Sequence, residues 1–119
     1  MMLFARWHRA ELTLIAAALI GAVTPLAAGQ DEVQFLAEND IAMKKMMTDM
    51  VIRPSGDVDR DFVAMMVPHH QGAIDMARAE LRYGRNEQLR RIAQEIIVTQ
   101  QQEIAAMRLA LEQVPSSYR

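Results

Sequence analysis

The chain has 119 residues, 24% of them charged, a formal net charge of -2 and no cysteine. This length makes a single domain the default. The missing cysteine excludes disulfides and thiolate metal sites, and no basic patch marks a nucleic-acid surface. Methionine is the outlier: ten residues against one Trp, two Tyr and three Phe, with eight of the ten between Met43 and Met107.

In chain order, residues 1–29 read as a secretory signal peptide. Arg6, His8 and Arg9 precede the apolar run Leu12–Val23, which is followed by TPLAAGQ. That is a charged n-region, a short h-region and a small-residue cleavage site. Cleavage is placed after Ala28 or Gly29. The alternative is an uncleaved anchor, but the run is well short of the ~20 apolar residues a span needs. The expected location is the periplasm or another exported compartment, with no membrane span once the leader is removed.

Sustained two-residue alternation is missing, and three later segments carry helical periodicity instead. The first runs from about Glu32 to Met50. Asp31 with Gln34 resembles a capping box, and Leu36, Met43, Met47 and Met50 form a stripe with Met46 beside it. RPSGD then breaks the chain. The second helix starts near Val58 behind Asp57 as N-cap, with Asp59 and Asp61 at the positive dipole end, and stops at Gly84 as a C-terminal glycine. The third starts after Asn86 and ends near Gln113, before Pro115. The domain is therefore expected over residues 30–114, with 115–119 as a tail.

On the second helix, Val63, Val67, His70, Ile74, Ala77 and Leu81 form an inner row. Phe62, Met66, His69, Ala73, Met76 and Glu80 form the row beside it, and a buried helix face is wide enough to take both. Asp61, Pro68, Gln71, Asp75, Arg78 and Arg82 lie on the outer face. Its stripe continues in register through Pro68, so a kinked but continuous helix is expected. On the third helix, Ala93, Ile97, Gln100, Ile104, Met107 and Leu111 face inward, with Glu103 flanking.

A short turn at Gly84-Arg85 makes the last two helices antiparallel neighbours. This places His70 opposite Gln100, Met66 opposite Glu103 and Val63 opposite Met107. The first connection sets Met43 level with Val67, Met47 with Val63 and Asp40 with His70. The fold class is thus all-α, an antiparallel up-down bundle of three helices after leader removal, and a homodimer would complete it to four helices or more.

Two readings of this core stand side by side. In one, methionine fills irregular space and a core histidine is hydrogen-bonded by Gln100 or Glu103. In the other, the His, Met, Gln and Glu side chains at one height hold a metal, because unpaired polar groups there would each cost about 1–3 kcal/mol. Thioether is soft and suits Cu(I), with imidazole as a compatible partner; Ag(I) is chemically similar. Zinc, which takes Cys, His or carboxylate, comes second. A di-iron site calls for Glu-x-x-His pairs, and none occurs. With no nucleophile–base pair oriented by a third group, no enzyme activity is expected.

DRDFVAMMVPHHQGAIDMA followed by RRIAQEIIVTQQQEIAAM resembles the domain-of-unknown-function-305 family. The matching positions are Asp59, Phe62, Met66, His69, His70, Ala73, Met76 and Ala77, then Gln100, Glu103, Ile104 and Met107. The resemblance implies a ferritin-like helical bundle, exported, and in some members copper-binding and supportive of copper tolerance. It carries over His69, His70, Met66, Met76 and Met107 as ligands, with Met43, Met46, Met47 and Met50 as contributors from the first helix and Gln100 and Glu103 as supporting polar groups. The expected function is copper buffering, tolerance or transfer through Cu(I), with Cu(II) or Ag(I) as further ions. The competing readings are a metal-free structural or interaction bundle and a ferritin-like redox enzyme.

Overall fold

A computed structural model of the protein describes residues 29–113. The leader, apart from Gly29, and the 115–119 tail lie outside the described residues. The described chain is three helices, α1 (Gln30–Asp49), α2 (Val58–Tyr83) and α3 (Glu87–Glu112), with no strand among them. No described helix is long and apolar enough to cross a membrane.

The helix starts follow local chemistry. Asp57 caps α2, its carboxylate accepting from the Arg60 amide at 3.1 Å. Asn86 caps α3, accepting from the amides of Gln88 and Leu89 at 2.9 and 3.0 Å. The capping box expected at the head of α1 does not form. Gly29 is the N-cap and has no side chain to offer, so Asp31 falls inside the first turn, where its charge suits the dipole. At the other end of α2, Gly84 has φ -71° and ψ 146°, extended rather than left-handed. What calls for glycine there is space: a Cβ would come within 2.7 Å of the Glu80 carbonyl oxygen. Pro68 lies within α2, which continues unbroken past it.

The middle helix carries both others; α1 and α3 each pack on α2, and their backbones nowhere come within 8 Å of each other. Toward α3, the inner row of α2 buries His70, Ile74 and Ala77, with Ala93 and Ile104 buried on α3. Ile74 is the only large side chain that is fully buried among the described residues, a contribution of about 1.5–3 kcal/mol. Toward α1, small residues form the seam: Ala42 on α1, with Gly72 and the fully buried Ala79 two turns apart on α2. Met46 lies across this seam, its sulfur 2.7 Å from where a Cβ of residue 72 would stand.

Ion pairs at the far end hold α1 in place. Glu38 accepts from Tyr83 Oη at 2.7 Å and from Arg82 Nε at 2.9 Å, and Arg85 reaches Asp31 at 2.8 Å. Numbers rise along α1 as they fall along α2 across these contacts, so the two run in opposite directions.

The expected α1–α2 register is shifted. With Met47 level with Val63, Met46 would fall beside Ala64; it instead meets Gly72, about two turns away. The reason is the connection. α1 stops level with Pro68–Gly72, and Met50–Asp57 then runs beside the first turns of α2, tied there by the Ser55 amide to the Asp61 carboxylate at 3.1 Å. A non-helical segment advances about 3.3 Å per residue against 1.5 Å in a helix, so a loop laid along its neighbour displaces the register. Asp40, expected level with His70, pairs instead with Lys44 on its own helix. Part of the outer row of α2, including Pro68, Gln71 and Asp75, lies against α1 rather than solvent. Between α2 and α3, His70 bonds Glu103, one of its two expected partners.

Two outcomes follow for the α1–α2 seam. Gly72→Leu forces Met46 off α2 and lowers stability by about 1–3 kcal/mol, read as a drop in the circular-dichroism melting temperature, with Gly72→Ala losing less. The second concerns acid. The Tyr83 hydroxyl, then Arg82, hold the Glu38 carboxyl below its ordinary value. A depressed carboxylate stabilises the fold above its unfolded pKa, and that support is lost as pH falls through the folded value. Tyr83→Phe therefore melts below wild type at pH 7, and the gap closes as acid protonates Glu38.

Candidate functional site

The adjacent histidines part company. Their ring centroids are 5.9 Å apart with planes at 63°, because neighbouring residues on a helix diverge by about 100°. His70 points between α2 and α3 and is buried; His69 lies on the next row and is exposed.

Both ring nitrogens of His70 are engaged. Nδ1 donates to the Met66 carbonyl oxygen at 2.8 Å; a carbonyl can only accept, so this nitrogen carries the proton. Nε2 lies 2.6 Å from Glu103 Oε2. His70 thus bridges one turn of α2 to α3, and a metal reaches neither nitrogen without breaking a hydrogen bond. His69 has no side-chain hydrogen bond or ion pair among the described residues.

His69 opens instead onto an apolar groove of about 480 Å³ whose lining comes from all three helices. Met46 enters from α1, His69, Met76 and Glu80 from α2, and Ile92 and Ile96 from α3. His69 and Glu80 are the ionisable side chains in the lining. The groove exists because the backbones of α1 and α3 stand apart, and His69, Ala73, Met76 and Glu80 of one α2 row form its floor.

The sequence-derived candidates are distributed as follows. His69 and Met76 line the groove, and Met66 sits on the same row, half-buried, one turn before His69. Met43 and Met47 lie outside the groove lining, 48% and 60% exposed. Met107 is half-buried on α3, and the His70–Glu103 register sets it level with Met66. Glu103 bonds His70; Gln100 is half-buried and makes no side-chain hydrogen bond among the described residues.

Two lining residues were not among the leading sequence candidates. Met46 stood beside the α1 stripe, and only the displaced register turns it onto the groove. Glu80 stood in the His69–Met76 row, and its signal was a charged residue on a line that is apolar apart from His69.

The donor set constrains the chemistry. Among the described residues no three His, Asp or Glu side chains converge on one point, which leaves the zinc set of His and carboxylate short. One imidazole and two thioethers, from Met46 and Met76, do open on the same groove. That combination fits a soft monovalent ion such as Cu(I).

The sequence model of a family described as "Domain of unknown function (DUF305)" matches residues 11–111, starting inside the segment read as leader. No curated protein matches the chain.

The His70 bridge generates a stability outcome. His70→Ala leaves the Glu103 contact unmade and a cavity between α2 and α3, lowering stability by about 2–4 kcal/mol in chemical denaturation. Glu103→Gln keeps a polar group facing Nε2 and loses less.

Proposed function

The chain belongs to the family described as domain of unknown function (DUF305), and we propose that it binds Cu(I), with Ag(I) as an alternative cargo, outside the cytoplasm, in copper buffering or transfer. The supporting observation is the groove that His69, Met46 and Met76 all line, with Met66 next on the row. His69 brings an imidazole uncommitted to other described side chains, and the methionines bring soft sulfur donors. An exported compartment suits such a set, because thiols there tend to oxidise to disulfides whereas thioethers do not.

The two histidines take different parts in this reading. His69 supplies a nitrogen to the ion. His70 fixes the α2–α3 pairing that holds the groove floor in place. In this reading the binding is reversible carriage rather than turnover.

Anaerobic Cu(I) titration against a chelating competitor tests the assignment. His69→Ala is expected to lower affinity at least tenfold, since even residues behind a metal ligand are worth about 10- to 100-fold. Met46→Leu combined with Met76→Leu gives a similar loss at nearly conserved volume. His70→Ala lowers the melting temperature more than the affinity. Equal affinities for wild type, His69→Ala and the double leucine variant would sink the proposal.

A further inference from the structure

The floor of the groove has a spacing that the copper reading does not use. His69 precedes Ala73 by four residues, and Glu80 follows Met76 by four. The row is therefore polar-small-large-polar, symmetric in position about a point between Ala73 and Met76, with an imidazole at one end and a carboxyl at the other. His69 and Glu80 stand about 16 Å apart along the helix. Neither has a side-chain hydrogen bond or ion pair among the described residues.

From this we infer that a second copy of the chain covers the groove, related by a two-fold axis through the middle of the row. One rotation makes two kinds of contact at once. It sets His69 against Glu80 of the partner subunit, and Glu80 against the partner subunit's His69. It also sets Met76 over Ala73 of the partner subunit, a large side chain onto a small one, twice. A two-fold interface uses the same patch on both molecules and must be complementary to itself, which is what this row provides.

The rest of the face agrees. Domains bury their apolar surface between packed layers, yet α1, α2 and α3 form one layer with α1 and α3 apart. Around the row, Leu89, Ile92 and Phe62 remain 52%, 43% and 51% exposed. The apolar lining is continuous across three helices, and such patches mark association surfaces. The two ionisable groups inside it are the two that the rotation pairs. Joining two layers gives a six-helix, two-layer assembly. The contact occupies one ring nitrogen of His69 and leaves the other free, so it stands independently of metal binding.

The test is sedimentation equilibrium of the full chain at pH 7 with a metal chelator present. Wild type is expected as a dimer at micromolar concentration. Glu80→Arg alone and His69→Glu alone each weaken the dimer at least tenfold, and the two together restore it to within about threefold. Ala73→Glu, at the centre of the row, gives a monomer with unchanged helical circular dichroism, which separates loss of the interface from loss of the fold. A wild-type monomer at these concentrations overturns the inference, whether the face is then covered by the apolar run before Gly29 or by a different protein. So does a dimer that survives Ala73→Glu, or a double variant no tighter than the singles. A dimer that fails to bind Cu(I) counts against the copper reading alone, and a monomer that binds it counts against this inference alone.

Discussion

Met46 lies across α2 only because residue 72 has no side chain of its own. That single close approach seats α1 on one flank of α2 and sets its register. Because α3 occupies another flank, through His70, Ile74 and Ala77, the backbones of the outer helices stay apart. The groove between them is what remains. The contact that opens the groove also delivers a sulfur atom to its wall, so the architecture and the donor set have one origin.

The paired histidines show how one helix serves two ends. A residue step of 100° sends His70 into the α2–α3 seam, where both nitrogens are satisfied, and sends His69 to the groove with its nitrogens unclaimed by other described residues. Unsatisfied polar groups are costly in a core, so the buried member is the one with a full set of partners. The exposed member can leave its nitrogens to water at little cost. Burial therefore sorts the pair into a structural residue and a chemically available one, although the two are adjacent in sequence.

Much of this was legible from periodicity. The three helices, the Asp57 cap, the continuity of α2 through Pro68 and the inward row of His70, Ile74 and Ala77 all follow from spacing and cap chemistry. The families of candidate ligands on α2 followed too, since His69 and Met76 share a row in any helix. What could not be read was register. It depends on the path of Met50–Asp57, and a loop folded back along its neighbour leaves the same sequence signature as one that turns at once. For that reason spacing sets Met43 and Met47 level with Val67 and Val63, and leaves both Gln100 and Glu103 open as partners of His70. Gly72 carried the missing information: a glycine in the middle of a long helix costs helical stability relative to alanine and marks a place where something comes close.

The attachment of α1 has a kinetic side. Ala42 is its one buried residue, and its links to α2 at the far end are ion pairs with exposed members, which salt screens. Proteins open locally in units of unequal cost, and on this count α1 is the cheapest unit to release, while α2 and α3 share the buried core. Lifting α1 takes Met46 away from His69 and Met76 without disturbing the α2–α3 hairpin. The groove thus has a floor and one wall on the α2–α3 hairpin and one wall on α1, the wall through which it can be dismantled and rebuilt while the hairpin stays folded.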